Sequence, residues 1–191
     1  WSLGRSILSR ALADESSLTL QRVERAILFM DIRGFTAWSE AQSPEAVVSM
    51  LNDYYLSAES ALGTHEPIKL KYTADEVMAV FTNATMAIAA GQTMLSTISV
   101  ELWPHKLTAG AGIHFGPVVE GILGGHDAKA YDFIGDTVNT AQRLCDAAAP
   151  GELLLSLEAC HDAGVKPEQT RDVTAKGKRD PIRVATIHAG V

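Results

Sequence analysis

The chain has 191 residues, 47% of them hydrophobic, with a formal net charge of -7 and a pI near 5.3. That length buries one good core and excludes three folded units, and the acidic balance argues against a general nucleic-acid binder, because a phosphate backbone demands a basic footprint. Cys145 and Cys160 lack CxxC spacing and fit free thiols in a reducing compartment, no signal peptide is visible, and no apolar run approaches the roughly 18 residues that span a bilayer.

Residues Trp1 to Arg25 differ in composition from the rest of the chain. Ile7, Leu8, Ala11 and Leu12 form a helical stripe that Asp14-Glu15-Ser16-Ser17 interrupts, so residues 1–25 are expected to be a helix and linker outside a main domain of residues 26–191. The chain begins at Trp1 rather than Met, which points to a fragment whose sensor or membrane part lies upstream. Ala26 to Met30 reads as a buried strand with Asp31 at its carboxyl end. Ser43-Pro44 then caps and opens a helix that runs to Gly63 with apolar residues at helical spacing.

Ile68 to Tyr72 and Glu76 to Phe81 predict a hairpin with Asp75 at its tip, and Asn83 caps a second long helix. Leu107 to Phe115 and Val118 to Leu123 are expected to form a strand pair around Gly116-Pro117, with glycines that admit another backbone or a ligand. A Gly135-Asp136-Thr137 turn opens a third helix, Leu153 to Leu155 is a short strand, Ser156 starts a short helix, and Val173 to Ile187 closes the chain as two strands. This order implies an α+β fold, a ferredoxin-like, antiparallel-rich sheet with helices packed on one face.

Two features carry chemistry. A ferredoxin-like order brings Asp31 and Asp75 side by side, and paired carboxylates with open space before them are hard ligands for Mg²⁺ or Mn²⁺. Directly after Asp31, Ile32-Arg33-Gly34-Phe35-Thr36 is a glycine-containing loop whose amides could meet a polyphosphate. Asn139 and Arg143 sit at i and i+4 on one helical face, suited to hold a ribose oxygen and to stabilise charge on a phosphate. Taken alone, each could equally be an ordinary turn or a solvated helix face.

Five ordered blocks, ILFMDIRGFT (Ile27 to Thr36), KYTADEVMAVF (Lys71 to Phe81), GIHFGPVVEG (Gly112 to Gly121), YDFIGDTVNTAQRL (Tyr131 to Leu144) and AKGKRDP (Ala175 to Pro181), resemble the class III nucleotidyl cyclase catalytic domain over about Arg25 to Ile187. The resemblance implies two divalent metal ions, Mg²⁺ or Mn²⁺, on Asp31, Asp75 and the Ile32 carbonyl, with Gly34, Phe35 and Thr36 as the phosphate loop. It implies Lys71 and Asp132 as the pair that reads the purine, Asn139 as the residue that orients the ribose, Arg143 as the transition-state cation and Lys176 as a triphosphate ligand. It further implies a head-to-tail homodimer, in which Asp31 and Asp75 of one chain face the other residues on its partner.

An Asp and a Lys match the 6-amino donor and N1 acceptor of adenine, so the expected reaction is ATP to 3′,5′-cyclic AMP and pyrophosphate. The expected setting is a cytoplasmic catalytic domain of a membrane-attached or multidomain protein. Lys69 lies on the same strand face as Lys71, but the family offset of four residues before Asp75 selects Lys71. Ala74 stands where the family usually has Gly, and Gly110 where some members carry an arginine. Guanylate cyclase activity and a non-catalytic nucleotide-binding or dimerisation domain are the alternatives. A diguanylate cyclase fits less well, since Ala74-Asp75-Glu76 lacks the paired glycines of that signature.

Overall fold

The computed structural model describes residues 18–63, 65–125, 129–174 and 180–188. The first strand, β1 (Gln21–Arg33), is longer than expected. Gln21 to Arg25, assigned from sequence to a linker, continue the pairing with the next long strand, where Arg25 makes a two-pronged ion pair with the fully buried Glu120 carboxylate and Gln21 donates to the same group. Two of the polar letters that looked like linker, Gln21 and Arg25, are paired with a buried carboxylate. Leu18 is also buried, against Val118 and Tyr131.

Gly34, in a left-handed turn at φ 83°, ends β1 and starts α1 (Phe35–Glu40). This corrects the expected loop, because Phe35 and Thr36 are already helical, with the Trp38 amide donating to the Gly34 carbonyl. Next comes α2 (Pro44–Leu62), where the Ser43 hydroxyl accepts from the Ala46 amide as its sequence predicts. The hairpin of β2 (Lys69–Thr73) and β3 (Glu76–Phe81) turns through Ala74 and Asp75, and Asn83 caps α3 (Ala84–Leu102).

The expected strand pair around Gly116-Pro117 is instead one 17-residue strand, β4 (Thr108–Gly124). Pro117 is tolerated because one edge of β4 is shared. Ala111 to Ile113 pair there with β6 (Glu152–Ser156), Val119 to Gly124 pair with β5 (Lys129–Ile134), and no strand lies between. The Pro117 carbonyl accepts from the Thr137 hydroxyl on that edge, and a strand residue's nitrogen faces the same edge as its carbonyl, so no ladder bond is lost. The strand β5 was not among the expected elements.

After α4 (Asp136–Ala147) and β6 come α5 (Leu157–Asp162), β7 (Thr170–Val173) and β8 (Ile182–His188). The eight strands run β2-β3-β1-β4-β6-β8-β7, with β5 on β4, and the β2-β3-β1-β4 part is the ferredoxin-like order. Helices cover both faces, which corrects the expected single layer. Ala26, Leu28 and Met30 of β1 pack with α2, α3 and α5, while Ile27 and Phe29 pack with Ala141 and Cys145 of α4. Gly112 permits the second layer, since a Cβ there would lie 2.2 Å from the Cys145 nitrogen. Among the described residues, no helix is long and apolar enough to cross a membrane.

Candidate active site

Strand alternation puts Asp31 on the same face of β1 as Ile27 and Phe29, the face that α4 covers. Its register partners are Glu76 on one side and Gly110 on the other, so the turn that carries Asp75 lies beside it. The two carboxyl groups are close enough to share a proton. Burial, the hydrogen bond to Asp75 and the charges of Asp75 and Glu76 raise the Asp31 pKa to about 7, against an opposing pull from Arg33. Glu76 is also pushed up, chiefly by burial, although Gln142 of α4 donates to it at 3.0 Å.

Such a pair fits a divalent cation, which would relieve the repulsion between the two carboxylates. Among the described residues no cluster of three or more His, Cys, Asp or Glu is arranged for a metal, so further ligands would be carbonyl, water or phosphate oxygens, as Mg²⁺ favours. Ile32 is buried and turned toward the opposite core, which leaves its main chain as the only part that could serve.

Arg33 was not singled out from sequence. Its Nη1 donates to Asp31 Oδ2 at 3.0 Å, and its Nη2 donates to the Cys145 carbonyl. The guanidinium occupies the space that a side chain at position 110 would need, since a Cβ on Gly110 would lie 2.7 Å from Nη2. The departure at Gly110 is thereby filled from the neighbouring strand. The signal available in the sequence was the i, i+2 spacing of Asp31 and Arg33.

Asp132, expected to read the base with Lys71, has a partner that the sequence did not assign to it. Asp132 is bonded to Lys69, not Lys71: Lys69 Nζ donates to Asp132 Oδ1 at 2.7 Å and to the Tyr131 carbonyl at 2.6 Å. Burial alone would raise the Asp132 pKa, but the hydrogen bonds from Lys69 and the Phe133 amide, with the charges of Lys69 and Lys71, bring it below the usual carboxylate value. Lys71 is exposed on the same strand face, near enough for its charge to be felt.

Asn139 is exposed and Arg143 half-buried on α4, and neither side chain makes a hydrogen bond among the described residues. Within one chain, no hydrogen bond joins them to Asp31 or Asp75. Lys176 lies outside the described residues. Ala74 takes the left-handed conformation, φ 50°, that the family's glycine would adopt freely, and its carbonyl accepts from Tyr55 at 2.6 Å. A cavity of about 510 Å³ at the β6-β8-β7 end gathers none of these residues, and its buried Glu152 is already paired with Arg171 and Thr186.

A ferredoxin-like α+β sheet with paired acids at the β1 end and the β2–β3 turn is the arrangement of a nucleotidyl cyclase catalytic domain of class III. The chain belongs to the adenylate and guanylate cyclase catalytic domain family, whose sequence pattern matches residues 19–186. It is 28% identical over 197 aligned positions to an uncharacterized protein, Rv1318c, of Mycobacterium tuberculosis, with 96% of this chain and 36% of that protein covered. The chain thus spans about a third of the length of the curated relatives it matches.

Among solved structures it is similar to the guanylyl cyclase Cya2, with a TM-score of 0.81 and 27% identity over 89% of this chain and 94% of that one. It is equally similar to the adenylyl cyclase CyaB from P. aeruginosa, with a TM-score of 0.81 and 27% identity over 91% and 98%. Equal likeness to enzymes named for different substrates leaves base choice to the residues themselves.

Proposed function

We propose that the chain is the catalytic domain of an adenylate cyclase, converting ATP to 3′,5′-cyclic AMP and pyrophosphate. The observation that carries this choice is the Asp132 carboxylate, held ionised by Lys69 and the Phe133 amide with Lys71 nearby. An ionised acceptor beside a cationic donor matches the 6-amino group and N1 of adenine. Guanine presents O6 and N1-H instead and would leave both groups opposed, a mismatch that discriminates strongly.

In this reading the ribose 3′-oxygen attacks the α-phosphorus in line with the departing pyrophosphate. Asn139 orients the ribose, Arg143 donates to the α-phosphoryl oxygens as they gain charge, and Lys176 binds the triphosphate. Asp31, Asp75 and the Ile32 carbonyl would hold two Mg²⁺ or Mn²⁺ ions, which supply charge neutralisation of the phosphates and activation of the 3′-hydroxyl. The amides of Gly34, Phe35 and Thr36, at the unfilled first turn of α1, face the polyphosphate.

The active unit is a head-to-tail homodimer, each site combining Asp31 and Asp75 of one chain with Lys71, Asp132, Asn139, Arg143 and Lys176 of the second. Two features support this: the lack of side-chain hydrogen bonds to Asn139 and Arg143 among the described residues, and the exposed apolar pair Val119 and Ile134 on the β4–β5 ribbon. The longer protein carries a sensor or membrane attachment, coupled to the catalytic domain through the residues that precede β1.

The test is product formation from ATP and from GTP, each with Mg²⁺ or Mn²⁺, over a range of protein concentration and beside Asp31→Ala. Cyclic AMP from ATP, lost in the variant and rising faster than linearly with protein, is the expected result. Cyclic GMP would overturn the base assignment, and no product from a proven dimer would favour a non-catalytic role.

A further inference from the structure

The two lysines of β2 stand on one strand face, directly opposite Val80 and Met78 of β3, yet their situations differ. The Lys69 side chain is 5% exposed and its ammonium is committed to two acceptors, the Tyr131 carbonyl and Asp132 Oδ1. Lys71 is exposed and its ammonium makes no hydrogen bond among the described residues. On Asp132 the asymmetry repeats. Oδ1 accepts from both Lys69 and the Phe133 amide, which fills its two lone pairs, whereas Oδ2 has no partner among the described residues.

We infer that Lys69 is a positioning residue, which locks the Asp132 carboxylate with Oδ2 as its single free acceptor toward the nucleobase, and that Lys71 alone of the two is the ligand-facing cation. This rests on the base-reading role proposed for Asp132.

The physical case is one of commitment. Lys69 is tied to the β5 main chain at Tyr131 as well as to the next residue's side chain, so turning the Asp132 carboxylate would break charge-assisted bonds to Lys69 and to the Phe133 amide together. Moving Lys69 onto a ligand would strand a carbonyl and a carboxylate oxygen, each costly to leave unpaired. Lys71 has no hydrogen bond to break by moving. The long Lys69 stem reaches Asp132 across the apolar face of Val80 and Met78, which is why burial and charge coexist there. A carboxylate so fixed is already in the state that accepts an amine and repels a carbonyl oxygen, so selectivity is set before a nucleotide arrives.

The experiment compares the wild-type chain with Lys69→Met, Lys69→Arg and Lys71→Met by three readouts. The first is the titration of the Asp132 carboxyl carbon by NMR. Its midpoint should rise in Lys69→Met, return partly in Lys69→Arg and rise less in Lys71→Met, which removes a charge but no hydrogen bond. The second is the ratio of kcat/KM for ATP to that for GTP, which should fall about tenfold in Lys69→Met, while Lys71→Met loses mainly affinity for ATP. The third is the lysine ammonium spectrum of the wild type. A slowly exchanging Lys69 signal should be present without nucleotide and unchanged by ATP, and a Lys71 signal should appear only on binding.

An Asp132 midpoint that does not move in folded Lys69→Met, a substrate ratio within twofold of wild type, or a Lys69 signal that shifts with ATP while Lys71 stays silent would each overturn the assignment. If Lys69→Met fails to fold, the wild-type ammonium spectrum decides by itself. A wild type that makes cyclic GMP would defeat the ATP reading separately, and the Asp132 titration would still judge the role of Lys69.

Discussion

Asp75→Asn should stabilise the metal-free protein above neutral pH while weakening the metal binding proposed for Asp31 and Asp75. Asp31 is raised from 3.8 to about 7, first by burial and then by the hydrogen bond and charge of Asp75. At about 1.4 kcal/mol per pKa unit the whole displacement has a ceiling of about 4 kcal/mol. The substitution removes only the Asp75 share and supplies an amide donor, and the Asp31 side chain is 25% exposed, so about 1–2 kcal/mol is expected after solvent screening. For a chain of this size that is a rise of about 4 °C in Tm.

The pH dependence is set by the direction of the shift. Between the ordinary carboxylate value and about 7 the native state binds the proton that the unfolded state has released, so wild-type stability falls as pH rises through this window and levels off above it. The gain from Asp75→Asn should therefore be full at about pH 8 and nearly absent at about pH 5. Calorimetry in a chelator at both values measures it, and added Mn²⁺ should stabilise the wild type alone. An equal gain at both pH values, or a variant less stable at high pH, would refute the coupling of the two carboxylates.

Gly112→Ala should cost more than about 3 kcal/mol, seen as loss of the cooperative thermal transition, because its Cβ would meet α4 backbone at 2.2 Å. Ala74→Gly should raise stability by about 0.5–1 kcal/mol in denaturant titration, since it relieves a left-handed alanine. Arg33→Met removes the cation bound to Asp31, worth about 1 kcal/mol at such exposure, and should tighten Mn²⁺ binding about fivefold by calorimetric titration.

Much of the fold was legible because it is local. The Ser43 and Asn83 caps, the proline after Ser43 and the Gly135 turn act within a few residues, and the helices begin where those signals place them. The strand at Gln21 to Arg25 was not legible, since its polar residues look like linker until Glu120, nearly a hundred positions away, pairs with Arg25. Pro117 misled for a similar reason. A proline breaks a central ladder, and only the two partial neighbours of β4 show that its edge is open there.

The site divides along the same line. Residue types and their order, with Asp31, Asp75, Asn139 and Arg143 in characteristic blocks, determined the family and the kind of chemistry, because those groups are carried by short motifs whose spacing the chain itself sets. Which lysine holds Asp132, what fills the gap over Gly110, and how far Asp31 and Asp75 repel each other were decided only by tertiary structure. Lys69 and Lys71 share a face by strand alternation, so the motif offset picks out Lys71 but says nothing of the bond from Lys69 to Asp132. Hydrogen bonds and Coulomb interactions act over a few ångströms of space, and the distances that matter here lie between strands far apart in the chain.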